Sequence, residues 1–448
     1  MSGIAGIGRA GARTDVKKML DRLNHRGPAG SEIIETGTAT LGLVFRESET
    51  QVVEDLRPRG IARDGEGGSR LAEARGTGGR LVLTRDALGV APLYYGRMAD
   101  GTLCFASEVK ALLALTGHIH ELPPGSFYDG VQIQTYFRLA QPPPRDASPS
   151  RTARELRQHL ATAVQRRVGN GEVGSWLSGG LDSSAMAALA RPHVDRLHTF
   201  AAGLAGAPDL AYAAEVAAFI GSHHHEVVVT FVQMLEVLPA VIYHLESFDA
   251  LLVRSSITNY LVGQAAADFV PIVFSGEGGD ELFAGYGYLK ALDPAVLPDE
   301  LLDIIGRLHN TALQRVDRCA SAHGTVARVP FLDPEVVEYV LRIPTQFKLN
   351  DGVEKWILRR ALDGALPESV LDRTKAKFWE GAGVGDLLAD YADQQISDAD
   401  FRAERTLPNG WRLNTKEELL YYRVFREQFG ELEDLVWMGR TKGAPMDA

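Results

Sequence analysis

The chain has 448 residues, 47 Lys plus Arg against 58 Asp plus Glu, and a formal net charge of −11. That length implies two or three domains with a sizeable core, and 45% apolar with 23% charged residues excludes a disordered chain. The acidic balance argues against nucleic acid as a general partner, no apolar run approaches the ~18–20 residues of a membrane span, and two cysteines exclude a disulfide framework or a Cys-rich zinc site.

Residues 1–140 are rich in Gly, Arg and short apolar runs, a pattern of strands and turns; Thr40–Phe45, Arg80–Thr84 and Thr102–Ala106 are predicted strands. The stretch Arg57–Gly79, glycine-rich and poor in apolar residues, is expected to be a mobile loop. Gln141–Ser150, with the run Pro142–Pro144, is expected to be a linker dividing a domain over residues 1–145 from one over 151–448. Thr152 and Glu155 form a capping-box signature, and Leu156, Leu160, Val164 and Val168 recur at helical spacing. Predicted strands (Val173–Leu177, His198–Leu204, Glu226–Thr230, Pro271–Phe274) then alternate with predicted helices (Ser183–Ala190, Asp209–Ile220, Phe231–Leu245, Ser255–Ala267). Such alternation implies right-handed crossovers and a parallel sheet covered on both faces. Segments beyond Asp293 read as helical, and the tail Gly439–Ala448 as loosely held.

Leu177-Ser178-Gly179-Gly180-Leu181-Asp182-Ser183-Ser184 lies between a predicted strand and a predicted helix. Two glycines let the backbone approach an anion, the helix start supplies unpaired N–H groups, and three serines add hydroxyl donors. A carboxylate beside a phosphate is repulsive unless a cation bridges them, so Asp182 predicts Mg²⁺. No Lys follows the second glycine, which excludes the G-x-x-x-x-G-K-[ST] loop. A second loop, Ser275-Gly276-Glu277-Gly278-Gly279-Asp280-Glu281-Leu282-Phe283-Ala284-Gly285-Tyr286, follows the Pro271–Phe274 strand, where open α/β sheets bind ligands. Asp280 suits a second metal contact and Glu277 a polar active-site group.

The first loop resembles the pyrophosphate loop of ATP pyrophosphatases, which release AMP and pyrophosphate. Together with Ser2–Gly6, His25–Pro28, Arg85–Tyr95, Phe105–Leu112, Ala327–Asp333, Glu354–Arg359 and Arg373–Phe378, the two loops resemble the glutamine-dependent asparagine synthetase family along nearly the whole chain. The resemblance implies an α/β protein: an N-terminal β sandwich of the Ntn-hydrolase (glutaminase) type joined to a C-terminal parallel-sheet ATP pyrophosphatase domain of the adenine nucleotide α-hydrolase-like kind. It implies ATP and Mg²⁺, with Ser178, Gly179, Gly180, Asp182, Ser183 and Ser184 on pyrophosphate, and Leu177, Ala202, Ser275 and Gly276 around the nucleotide. Mg²⁺ would lie on Asp182 and Asp280. Lys375 would stabilise the phosphates as charge develops, and Glu277 would assist attack by the amine.

Several positions depart from that family. Ser2 stands where the family has its cysteine nucleophile, at neutral pH a far less ionised group, and a retained Met1 would block the α-amine. The stretches that hold glutamine have no counterpart between Phe45 and Arg85, and the Arg-Gly-Pro-Asp pattern ends in Ala29. The expectation is a degenerate glutaminase half, with nitrogen arriving as ammonia or another amine. In the substrate segment Arg254 persists, whereas Leu251 and Leu252 replace the family threonines, which argues against a small polar carboxylate such as aspartate. Arg254 and Leu251 are the expected substrate contacts.

The expected activity is an AMP-forming ligase that makes an amide from a small-molecule carboxylate in the cytoplasm, without nucleic acid or membrane partners and with a homodimer as the candidate assembly. The alternatives are a β-lactam-synthetase-like or other specialised amide synthetase, a catalytically silent homologue, and a pyrophosphatase acting on RNA, which the acidic charge disfavours. Adjacent strand residues point to opposite faces, so His223-His224-His225 cannot converge on one ion. Cys319 reads as a small buried residue.

Overall fold

The computed structural model describes residues 3–67, 70–77, 79–169, 172–374, 381–384 and 386–442. The first third of the chain carries β1 (Gly3–Ile7), β2 (Gly30–Glu35), β3 (Thr40–Phe45), β4 (Ile61–Gly67), β5 (Arg70–Thr77), β6 (Arg80–Arg85), β7 (Tyr94–Arg97), β8 (Leu103–Ala106), β9 (Ile119–Glu121), β10 (Ser126–Tyr128) and β11 (Ile133–Thr135). They form two antiparallel sheets, ordered β2-β3-β1-β8-β7-β9 and β11-β10-β6-β5-β4, around a shared core that includes Leu41, Leu43, Leu83 and Phe105. Every residue of β1 is buried, because the helix Arg13–Leu23 packs Val16, Met19 and Leu20 on the other face of the first sheet. The Arg85–Tyr95 motif is structural here. The buried Asp86 carboxylate accepts backbone N–H groups of Leu71, Leu88, Val90 and Ala91 at 2.9–3.2 Å, and Arg85 donates to Ala91, Gly89 and Leu122 carbonyls.

Two expectations for this region are corrected. Arg57–Gly79 is not a loop along its described length: β4 and β5 form a paired hairpin within the second sheet. Inward positions are taken by the alanines Ala62, Ala72 and Ala74 and by the buried Asp64, while Arg63 and Glu73 pair outward at 2.6 Å. Alanine is a weak strand former, so the alternation carries little apolar signal. The long helix begins at Pro149, three residues before the proposed capping-box Thr152, and its cap is Ser148, which accepts the Arg151 N–H. Proline at the first helical position selects the earlier hydroxyl.

The C-terminal part is built on β12 (Val173–Trp176), β13 (Leu197–Leu204), β14 (His223–Val229), β15 (Ile272–Phe274) and β16 (Val326–Arg328), all parallel, ordered β14-β13-β12-β15-β16. From β12 the chain winds first to one side and then, at β15, to the other. The strand order therefore reverses between β12 and β15, the place where such sheets open a crevice at their carboxyl ends. The tail to Lys442 is tied down: Arg440 reaches Glu418 at 2.5 Å, Thr441 hydrogen-bonds Asp249, and Lys442 meets Glu300 and Asp303 at 2.7 Å. That overturns a loose tail for residues 439–442. No described helix is long and apolar enough to cross a membrane.

Apolar packing runs continuously from Ala5 to Met438, and the two parts also meet through buried charge. Arg26 donates to Glu108 at 2.7 Å and to Asp317 at 2.8 Å, Arg318 reaches Glu108 and Glu246 at 3.1 Å, and Glu246 accepts the backbone N–H groups of Val109 and Lys110. Burial alone would push the Glu108 carboxyl up, but the hydrogen bond with His25 and the Lys110 and Arg318 cations hold it well below the ordinary range. Beside this network three imidazoles are kept neutral. Burial lowers His25, and takes His244 down to about 2 and His323 to about 4.

An unfolded imidazole takes its proton near pH ~6.5, whereas these take theirs only at lower pH, so the unfolded chain binds more protons throughout that interval. Their contribution is present above pH ~6.5 and is lost as the pH falls. The melting temperature is expected to drop between about pH 7 and about pH 5, ahead of carboxylate titration, with a shallower slope in His323→Phe. A melting temperature unchanged over that interval would contradict the arrangement.

Candidate active site

Strands β12 and β15 are hydrogen-bonded neighbours, so the loops that leave their carboxyl ends are brought together. One cavity opens between them. Its walls include Leu177, Ser178, Gly180, Asp182, Ser183, Ala202, Ser275, Gly276, Glu277 and Asp280 from the expected set. Gly179 and Ser184 do not line it. Gly179 adopts φ +68 and packs on Tyr212 and Ala213, where any Cβ would collide, and Ser184 is fully buried. The first loop is stiffened from within: Ser183 Oγ accepts the Ser178 N–H at 3.1 Å and donates to the Gly180 carbonyl at 3.1 Å. The helix Leu181–Ala190 follows with its amino end at the cavity, a favourable environment for an anion.

The glycines of the second loop let it pack closely against the first. A Cβ on Gly276 would stand 2.6 Å from the Asp182 carbonyl carbon, and one on Gly279 would overlap Asp182 Oδ1. A Cβ on Gly285 would overlap Asp280 Oδ1 and Lys355 Cε. These glycines make room for the opposite acid and for a lysine. Asp182 and Asp280 converge on Lys355 Nζ, which lies 2.6 Å from Asp280 Oδ1 and pairs directly with Asp182 Oδ2. Lys355 is 2% exposed; burial alone would lower its ammonium, but the two carboxylates raise it above the usual lysine range.

Three further cations border the cavity: Arg315, Arg359 and Arg373. Arg315 Nη2 binds Glu277 Oε2 at 2.6 Å, which leaves Glu277 Oε1 without a protein hydrogen bond among the described residues. Arg373 holds Asp209 at 2.5 Å and stacks on Tyr212 at 4.0 Å, and Arg359 pairs with Glu354 at 3.0 Å. Among the described residues, every acid lining the cavity therefore faces a cation of the protein. Sequence reasoning missed Lys355, Arg315, Arg373, Asp209 and Asn259. The available signal was the demand for a positive group beside two acids, which does not say where in the chain that group resides.

Two carboxylates drawn to one point beside a loop rich in N–H and O–H donors fit Mg²⁺, which binds one or two carboxylates and completes its shell with phosphate oxygens and water. Among the described residues no three His, Cys, Asp or Glu converge as an all-protein metal cage. On β13 and β14, His198 Nδ1 meets His225 Nε2 at 2.9 Å, while His224 turns the other way to Thr199.

Lys375 and Ser2 lie outside the described residues. Arg254 and Leu251 are not among the residues lining the cavity. Arg254 forms a bidentate pair with the buried Glu417, at 3.1 and 2.5 Å, and a third contact with Asp386 at 3.1 Å. In this arrangement the arginine ties the helices Ala250–Ala267 and Lys416–Phe429 together. Cys319 is buried and its thiol is pushed up to about 12 by burial, so it is no nucleophile.

The asparagine synthase family pattern matches residues 155–299 and 297–444, and a glutamine amidotransferase domain pattern matches residues 75–168. The chain is 37% identical over 380 residues to asparagine synthetase B (glutamine-hydrolyzing) of Escherichia coli K12, covering 78% of this chain and 67% of that protein. It is 36% identical to asparagine synthetase 2 of Arabidopsis thaliana and 35% identical to asparagine synthetase 2 of Lotus japonicus, in each case over 78% of this chain and 64% of the relative. The chain thus spans about two thirds of the length of these relatives.

Removing one partner of a buried ion pair leaves an uncompensated charge, at a cost of about 3–5 kcal/mol. Arg254→Met is therefore expected to lower the unfolding free energy by about 3 kcal/mol in denaturant titration, with little change in ATP affinity. Unchanged stability with a large loss of substrate affinity would return Arg254 to the substrate site.

Proposed function

This chain belongs to the asparagine synthase family, and we propose that it is an ATP-dependent, AMP-forming ligase that makes an amide from a carboxylate and ammonia or another amine. The observation that carries this reading is the meeting of Asp182 and Asp280 at one point above the serine–glycine loop, at the reversal of strand order. Bound there, Mg²⁺ supplies charge neutralisation for the departing pyrophosphate. A substrate carboxylate oxygen forms a bond to the α-phosphorus of ATP while the bond to pyrophosphate breaks. The loop N–H groups and the hydroxyls of Ser178 and Ser183 hold the leaving group, and Lys375 is assigned to its developing charge. The amine nitrogen then bonds to the acyl carbon and AMP departs. Glu277, oriented by Arg315 through Oε2, takes the amine proton on Oε1.

The same reading holds that the N-terminal part does not hydrolyse glutamine. Arg26, 1% exposed, runs beside Gly3, the residue next to the family's nucleophile position; its Cδ lies 3.0 Å from where a Cβ on Gly3 would be. Its guanidinium is engaged by Glu108, Asp317, Asp64 and Ser321, the protein's own groups. The amidotransferase pattern matches only from residue 75 onward, in keeping with the missing glutamine-holding stretches.

Exchange of labelled pyrophosphate into ATP, measured across a panel of carboxylates that includes aspartate, tests the proposal. Exchange that depends on one carboxylate, amide formation with ammonium, and glutamine hydrolysis at background are the expected results. No exchange with any carboxylate would favour a silent homologue, and glutaminase activity above background would overturn the nitrogen assignment.

A further inference from the structure

Two carboxylates held within reach of one nitrogen repel each other, and their burial raises the cost of leaving both charged. The protein meets this with Lys355. Its Nζ bridges Asp182 and Asp280, its stem passes over Gly285, where a Cβ would overlap Cε, and its backbone sits in the left-handed region at φ +56. A non-glycine residue held there stores strain of about 1 kcal/mol or more, so the surrounding fold must fix it. It does: the Lys355 N–H donates to the Phe283 carbonyl at 3.1 Å, and the preceding Glu354 is held by Lys290 at 2.6 Å and Arg359 at 3.0 Å.

We propose that Lys355 is the built-in counter-ion of the acid pair: its ammonium occupies the cation position between Asp182 and Asp280, and a divalent cation enters only by displacing it. This rests on the proposed function only in taking those acids as the magnesium ligands. The charge balance favours the exchange when nucleotide is present and opposes it when nucleotide is absent. Among the described residues, two carboxylates and one ammonium sum to −1, and adding a divalent cation brings the group to +1. A net positive cavity suits a polyphosphate and is unfavourable without one. The lysine thus makes metal and ATP enter as partners, so the free protein does not hold the metal tightly alone. The displaced ammonium remains on a cavity wall, where it can meet phosphate oxygens.

The test uses Mn²⁺ alone, without ATP or carboxylate, and reads binding by electron paramagnetic resonance. A site blocked in about nine molecules of ten binds its ligand about tenfold more weakly than an open one. Lys355→Met is therefore expected to bind one Mn²⁺ about tenfold or more tightly than the unsubstituted protein, and Lys355→Met with Asp182→Asn to lose that gain. Mn²⁺ should also raise the melting temperature of Lys355→Met while leaving the unsubstituted protein unmoved. If the methionine variant does not fold, Lys355→Gln, which keeps a polar group between the acids, takes its place with the same two readouts. Equal Mn²⁺ affinity with and without the lysine charge would overturn the inference. Carboxylate-dependent pyrophosphate exchange in the unsubstituted protein would still stand in that case, so the two failures are separable.

Discussion

The structure around this cavity depends on one electrostatic constraint. Two carboxylates, one from each of two loops, must share a space small enough for both to touch a single cation. Like charges so close and so poorly hydrated raise each other's energy steeply. Strand order brings the loops together, and the glycines at 276, 279 and 285 let them interdigitate, because any side chain there would strike Asp182, Asp280 or Lys355. The lysine settles the charge. Remove any of these three elements and the others lose their reason: glycine-rich turns would be slack, and paired acids would repel.

The same rule governs the rest of the cavity and the contact between the two parts of the chain. Glu277 has Arg315, Asp209 has Arg373, and the interdomain carboxylates Glu108, Asp317 and Glu246 are held by Arg26, Arg318 and Lys110. A polyanion entering this cavity would meet described cations that are already engaged, so its binding would be an exchange of partners rather than the filling of a positive hole. The N-terminal sandwich takes part in this as structure. Its buried Arg26 and Glu108 are joined to Asp317 and Arg318 of the C-terminal part.

Legibility in the sequence followed the range of the interactions. The alternating strands and helices of the parallel sheet and both glycine loops are written in contiguous residues, and the structure brings Ser178, Asp182, Ser275, Glu277 and Asp280 to one cavity. Partners distant in sequence were not legible. Lys355 meets Asp182 across 173 positions, and Arg254 meets Glu417 across 163, so a local likeness of Arg254 to a substrate residue said nothing of its engagement elsewhere. The β4–β5 hairpin was hidden because alanines and the buried Asp64 take its inward face, and the Ser148 cap because Thr152 offered an equally plausible hydroxyl one turn later.

The central claim is that Asp182 and Asp280 form one cation position over a phosphate-binding loop. The most direct measurement is a crystal structure with Mn²⁺ and a non-hydrolysable ATP analogue, with the metal located by its anomalous scattering. The expected result is one Mn²⁺ ligated by both aspartates and by phosphate oxygens, with the phosphates on Ser178, Gly180 and Ser183. A nucleotide bound elsewhere, or a metal on the phosphates that touches neither aspartate, would contradict it.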